Sequence, residues 1–167
     1  SPFDVLNRAV SNEMGIILEL QALGVQHILA PGMPDLGLTP YFRSLGPAAA
    51  AAGSAFTDYF NATLSAALPS DVMYYDTAGL LRSVVSQPAT FGFTNVTDAC
   101  FNGVSVCANP GEYLFFDDFH PTAATHALLA REFEAVVSVP ETGTVALFAM
   151  GLAVVGLARR KSADRAG

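Results

Sequence analysis

Positive charge is scarce in this chain. Lys and Arg number 8 against 15 Asp and Glu, giving a formal net charge of −7. With no basic, aromatic-rich patch anywhere, that balance excludes a nucleic-acid surface. Cysteine is nearly absent too. Two residues, Cys100 and Cys107, without a second pair or a histidine-rich spacing, exclude a structural zinc centre. No signal peptide opens the chain. No G-x-S-x-G elbow is present either, and Ser54 and Ser65 fall inside an alanine-rich helix, so neither is read as a nucleophile. What is abundant is apolar surface: 51% of residues are hydrophobic and 14% charged, the composition of a chain that folds. Its 167 residues suffice for one domain with a core. Ser1-Pro2-Phe3-Asp4 reads as the interior of a longer protein, and the expectation is that the chain is its C-terminal portion.

Helical and extended patterns alternate along the sequence. Apolar residues from Leu6 to Leu18 recur near helical spacing up to Gly24, a C-terminal stop signal. Val25–Ala30 then reads as a buried strand that contains His27, expected to be a satisfied core or sheet-edge residue. Pro31–Pro40 breaks that strand. It leaves what would be the C-terminal end of a strand, where open α/β sheets gather their sites, so Pro34, Asp35 and Leu36 are candidate cleft residues. A rigid proline-set connector is the competing reading. A second helix runs from Pro47 to Leu68, a second strand over Val72–Asp76 and a third helix from Thr77 to Ser86. Ala89–Gly111 is irregular, and a last helix spans Pro121–Val137 with His126 on its surface. Strands each followed by a helix predict an α/β layered fold.

Between the irregular stretch and the last helix lies Tyr113-Leu-Phe-Phe-Asp-Asp-Phe-His-Pro-Thr122, which concentrates the chemistry. Asp117 and His120 stand in a D-x-x-H spacing. One turn of irregular chain brings such a carboxylate to the ring Nδ1 and leaves Nε2 free to take a proton. That is a base-and-orienter pair for nucleophilic catalysis. The competing reading is a helix-capping Asp117 or Asp118 beside a half-buried loop histidine.

The last thirty residues form a separate pattern. A short polar break at 138–144 precedes an uncharged apolar run from Val145 to Ala158, then Arg159, Arg160 and Lys161. As a helix the run measures roughly 21 Å against a bilayer core of about 30 Å, enough to cross with snorkelling arginines. The basic cluster places its own end on the cytoplasmic side. A buried core helix is disfavoured because Gly143, Gly151 and Gly156 weaken it and it has no polar face.

Phe93-Thr-Asn-Val-Thr-Asp-Ala-Cys100, Cys107 and Tyr113–His126 together resemble the last block of the GDSL-type lipases and esterases of the SGNH hydrolase superfamily. Leu23–Pro40 is similar to a strand and loop in the middle of those enzymes. The resemblance covers roughly Val5–Val137. It implies an incomplete SGNH-hydrolase-like (flavodoxin-like) three-layer α/β fold with a parallel sheet over residues 1–137, and a substrate that is an ester or lipid-like molecule. It makes His120 the general base and Asp117 its orienting carboxylate, with Asp118 an alternative register; it implies no cofactor or metal. The family's G-D-S and G-x-N-D blocks, which carry the serine and part of the oxyanion hole, are absent from these residues. The chain alone is therefore expected to be inactive. Two other classes stay open: a non-catalytic surface or carbohydrate-binding module, and a membrane-anchored structural protein.

Val139-Pro140-Glu141, Gly143-Thr144, the apolar run and the basic cluster resemble the PEP-CTERM sorting signal of exopolysaccharide-producing Gram-negative bacteria. Thr142, in place of the usual second proline, makes Val139–Gly143 similar to a sortase site as well. Both imply export, a C-terminal hydrophobic anchor helix over 145–167, and processing by a sorting transpeptidase, exosortase-like in the first case. The protein would be held at the cell envelope or released after processing. Export in turn implies that Cys100 and Cys107 are joined.

Overall fold

The first helix, α1 (Pro2–Ala22), starts with proline in its first turn and ends before Gly24, whose φ of +90° turns the chain back. Val10 and Ile17 lie on its buried stripe, one against Phe60 and Leu64, the other against Ile28, Ala30 and Val72. The structure is a computed structural model describing residues 1–137. The expected linker over 138–144, the anchor helix over 145–167, the Val139–Gly143 motif and the Arg159–Lys161 cluster lie outside the described residues. Among the described residues, no helix is long and apolar enough to cross a membrane.

Strand β1 (Leu29–Pro31) pairs in parallel with β2 (Met73–Tyr75), Leu29 opposite Met73 and Pro31 opposite Tyr75. Between them come the short α2 (Pro40–Ser44) and the long α3 (Pro47–Ala67), and β2 leads into α4 (Thr77–Ser86). Each helix has its start written locally. Thr39 accepts the Phe42 N–H at 3.4 Å, Pro47 occupies the first turn of α3, and Asp76 accepts the Gly79 N–H at 2.9 Å. A second parallel pair follows, β3 (Asn95–Ala99) with β4 (Tyr113–Phe115), and α5 (Ala123–Val137) closes the described chain. Leu81, Val84, Phe93, Leu114, Phe115 and Leu128 bind α4, β4 and α5 into one core.

Several expectations need correction. The parallel strands form two separate two-stranded sheets rather than one. The first strand is three residues long, because only Met73–Tyr75 face it, so Val25, Gln26 and His27 lie before it and are exposed. His27 is thus neither core nor sheet edge. The stretch 89–111, read as irregular, contains β3. Helix α5 begins after Thr122: Pro121 is held in an antiparallel bridge with Phe115, and the Thr122 N–H is taken by the Leu114 carbonyl at 3.0 Å.

Candidate active site

The stretch between β4 and α5 is a tight loop drawn shut by its own backbone. The Phe116 N–H donates to the His120 carbonyl at 2.7 Å, so residues 116–120 turn back on themselves. Asp117 organises the inside of that turn. Its Oδ1 accepts the N–H groups of Phe119 at 2.9 Å and His120 at 2.7 Å, the geometry in which a short acidic side chain caps its own loop. The same carboxylate reaches the imidazole, with His120 Nδ1 2.9 Å from Oδ2 and 3.0 Å from Oδ1. An Nδ1–H donating to a carboxylate fixes the tautomer and leaves Nε2 as the basic atom. The ring is 76% exposed, and Nε2 carries no hydrogen bond among the described residues. Burial pushes the Asp117 carboxyl up, but the two backbone N–H groups and the imidazole outweigh it and hold the carboxyl below its usual value. Asp117, not Asp118, is the carboxylate on the ring. The Asp118 backbone carbonyl takes the Tyr41 N–H at 3.1 Å instead, and the Tyr41 and Phe119 rings lie 4.6 Å apart, which ties the loop to α2.

Behind the loop, the start of α5 anchors it. The Thr122 hydroxyl donates to the Tyr113 carbonyl at 2.7 Å and the Thr125 hydroxyl to the Leu114 carbonyl at 2.7 Å, both from buried positions. The loop borders a cavity of about 590 Å³ lined by Asp117–His120, Ala99 and Phe101–Gly103. Phe101–Gly103 belong to a hairpin closed by the Cys100–Cys107 disulfide, and Ala99 ends β3 just before it. A second, apolar cavity of about 370 Å³ lies between the 31–39 segment, α4 and α5, with Phe119 on its rim.

The three candidate cleft residues separate. Pro34 and Leu36 line the apolar cavity. Asp35 turns inward: it is 2% exposed and accepts from Ser54 Oγ at 2.7 Å, the Gly37 N–H at 3.0 Å and Arg82 Nε at 2.7 Å. Its role here is to hold the segment, not to face a substrate. The apolar cavity is also lined by Thr77, whose buried Oγ1 has no hydrogen-bond partner among the described residues. Sequence reasoning missed the Phe101–Gly103 wall, although Asn102-Gly103 between two cysteines is a hairpin signal. Arg82 was missed as well, since nothing local to it announces a partner 47 residues away. No group of His, Cys, Asp and Glu suited to a metal ion occurs among the described residues.

A carboxylate-oriented histidine on a loop between strand and helix, within a mixed α/β chain with short parallel sheets, is an arrangement in which an imidazole can act as a general base. The chain belongs to the GDSL-like Lipase/Acylhydrolase family, whose model matches residues 3–133. It is similar to curated Arabidopsis thaliana proteins named GDSL esterase/lipase. It is 27% identical to At1g71250 over 78% of this chain and 41% of that protein. It is 25% identical to At2g31550 over 72% and 41%, and 26% identical to At1g58430 over 74% and 41%. The chain thus spans about 41% of the length of these relatives.

Proposed function

We propose that this chain supplies the general base of an exported serine ester hydrolase whose nucleophile sits in a G-D-S segment outside the 167 residues. The observation that carries the reading is the bidentate approach of Asp117 to His120 Nδ1, which leaves Nε2 as the basic atom of a side chain that lines the cavity. His120 Nε2 takes the serine proton as Oγ attacks the ester carbonyl. It returns that proton to the alcohol oxygen as the C–O bond breaks, then activates water to hydrolyse the acyl-enzyme. Asp117 keeps the ring in the Nδ1–H tautomer and stabilises the imidazolium formed in each half-reaction. The GDSL family and its esterase/lipase relatives support an ester or lipid-like substrate. The proposal includes the tail. Val139–Gly143, the apolar run 145–158 and Arg159–Lys161 act as a sorting signal read by an exosortase-like transpeptidase, holding the protein at the envelope until processing.

The test is a p-nitrophenyl ester assay on the protein encoded with its upstream sequence and on this chain alone. Turnover in the longer protein, abolished by His120→Ala with the fold retained, is the expected result; undiminished turnover in His120→Ala overturns the assignment. One rival is a non-catalytic surface module. An upstream sequence without a G-D-S serine, together with no turnover in either protein, would establish that rival. Membrane fractionation tests the tail: removing residues 145–160 should release the protein, and unchanged sedimentation refutes the anchor.

A further inference from the structure

We infer that the Cys100–Cys107 hairpin is the specificity wall for the alcohol half of the substrate and seats an aryl or similarly flat apolar alcohol against Phe101. The inference rests on the hydrolase reading of His120. In that chemistry the proton taken from the nucleophile is handed to the departing alkoxide as the ester C–O bond breaks. The leaving oxygen must therefore come within about 2.6–3.2 Å of Nε2, and the rest of the alcohol must occupy space that His120 itself borders. His120 borders the 590 Å³ cavity and is not among the residues lining the apolar one, where His126 and Leu129 stand; Phe119 borders both. The first cavity is within the size range of small-molecule sites.

Phe101, Asn102 and Gly103 line that cavity together with His120. The Phe101 ring lies nearly parallel to Phe116, at 12° with centroids 5.9 Å apart, an offset pair that steadies a flat aromatic side chain lining the cavity. The Asn102 Oδ1 is used by the turn, accepting the N–H groups of Val104 at 3.0 Å and Ser105 at 2.9 Å, so the amide that lines the cavity keeps its Nδ2 as a donor. Gly103, at φ +90°, makes that turn possible.

The wall is registered to the base through one residue. The Phe101 N–H donates to the Phe116 carbonyl, and the Phe116 N–H donates to the His120 carbonyl, at 2.6 and 2.7 Å. The disulfide and the Cys107 N–H to Cys100 carbonyl bond, at 2.7 Å, close the hairpin at its neck. The buried Cys100 ties that neck to β4 through the Phe115 carbonyl at 3.1 Å. Opening the neck loosens the hairpin that carries Phe101, whereas the Asp117–His120 contacts are made within residues 117–120 themselves.

The experiment reads binding rather than turnover, so it separates this inference from the hydrolase reading. Benzyl alcohol is titrated into the oxidised 167-residue chain while the imidazole resonances are followed by NMR, with His27 and His126 as internal controls. A saturable shift at His120 alone is expected, with a Kd at least tenfold weaker in Phe101→Ala, only partly weakened in Phe101→Leu, and weakened as in Phe101→Ala in Cys100→Ser/Cys107→Ser. Circular dichroism confirms that each variant is folded, and Phe101→Leu carries the comparison if the serine pair is not. No shift at His120, or equal affinity in wild type and Phe101→Ala, overturns the inference. The hydrolase reading fails by a different result, undiminished ester turnover in His120→Ala of the serine-containing protein.

Discussion

Replacing Arg82 by methionine removes the one cation that, among the described residues, pairs with the buried Asp35 carboxylate. The Asp35 side chain is 3% exposed and the Arg82 side chain 43%, so the substitution costs little burial at position 82 and strands a charge at position 35. Asp35 keeps two neutral donors, Ser54 Oγ and the Gly37 N–H, both on Oδ1; Oδ2 loses its partner. A hydrogen bond to a charged group contributes about 1.5–3 kcal/mol. Solvent around the half-exposed guanidinium favours the lower part of that range, so the expected loss is about 2 kcal/mol. For a chain of this size that is a fall in Tm of roughly 4–8 °C. Arg82 also pairs with the exposed Asp58 at 2.6 Å, a contact worth about 0–1 kcal/mol that Asp58→Asn measures on its own.

The decisive comparison is a sign reversal. In the wild-type background Asp35→Asn should destabilise, because an amide N–H₂ in place of Oδ2 would face the guanidinium. In the Arg82→Met background the same change should stabilise, because Asn Oδ1 still serves Gly37 and Ser54 and the uncompensated charge is gone. Urea unfolding of the four proteins, followed by circular dichroism, reads both numbers. An Arg82→Met loss equal to that of Asp58→Asn, or a loss from Asp35→Asn in both backgrounds, would refute the claim that a stranded buried charge sets the penalty.

Four further outcomes follow from the same geometry. In a serine-containing protein, Asp117→Asn should lower kcat by about 10³–10⁴-fold through the wrong tautomer, measured by ester hydrolysis; a loss under tenfold contradicts the orienting role. Because its folded pKa is depressed, Asp117 stabilises the fold above the usual carboxylate range, and this stabilisation is lost as pH falls through the lowered value. The gap in stability between wild type and Asp117→Asn should therefore close in acid, and a gap that widened there would be inconsistent. Tyr75 is pushed up to about 12 by burial, the charge and hydrogen bond of Glu132, and the charge of Asp76. A raised folded pKa means stability that is complete below about pH 10 and is lost towards pH 12, so absorbance at 295 nm should show Tyr75 ionising there together with unfolding, and Tyr75→Phe should remove that component. Gly37→Ala should cost about 3 kcal/mol or more, since its Cβ would overlap the Ala50 carbonyl oxygen and Ser54 Oγ; a change under 1 kcal/mol in urea unfolding would mean that α3 yields easily.

Elements whose determinants are local were legible in the sequence. Helix α4 runs from Thr77 to Ser86 as expected because Asp76 caps it and Pro88 follows it, and α3 runs from Pro47 to Ala67 between two prolines. The D-x-x-H pair is local too: three residues of loop suffice to bring Asp117 onto His120, and the spacing carries that information. The first strand was overextended because apolar sequence from Val25 to Ala30 says nothing about how many residues its partner offers, and β2 offers three. Asp35 reads in sequence as a polar residue on a loop. Its fate depends on Ser54 and Arg82, each on a different helix, and no window of sequence contains all three.

Asp35 also links stability to the site. By fixing Gly37 and the short helical turn Leu36–Leu38, it sets the direction in which Thr39 starts α2. From α2 the Tyr41 N–H reaches the Asp118 carbonyl, and the Tyr41 ring lies against Phe119, so the loop bearing His120 rests on a segment whose position depends on a buried charge 82 residues earlier than Asp117 in the chain. The opposite side of that loop is held through Phe116 by the disulfide hairpin. The exposed imidazole is thus placed by supports on both flanks and by Asp117 beneath it, while its Nε2 is left free. Placement of that kind reduces the ordering still required when a substrate and a nucleophile arrive, which is the condition for a base to act within a narrow range of distance and angle.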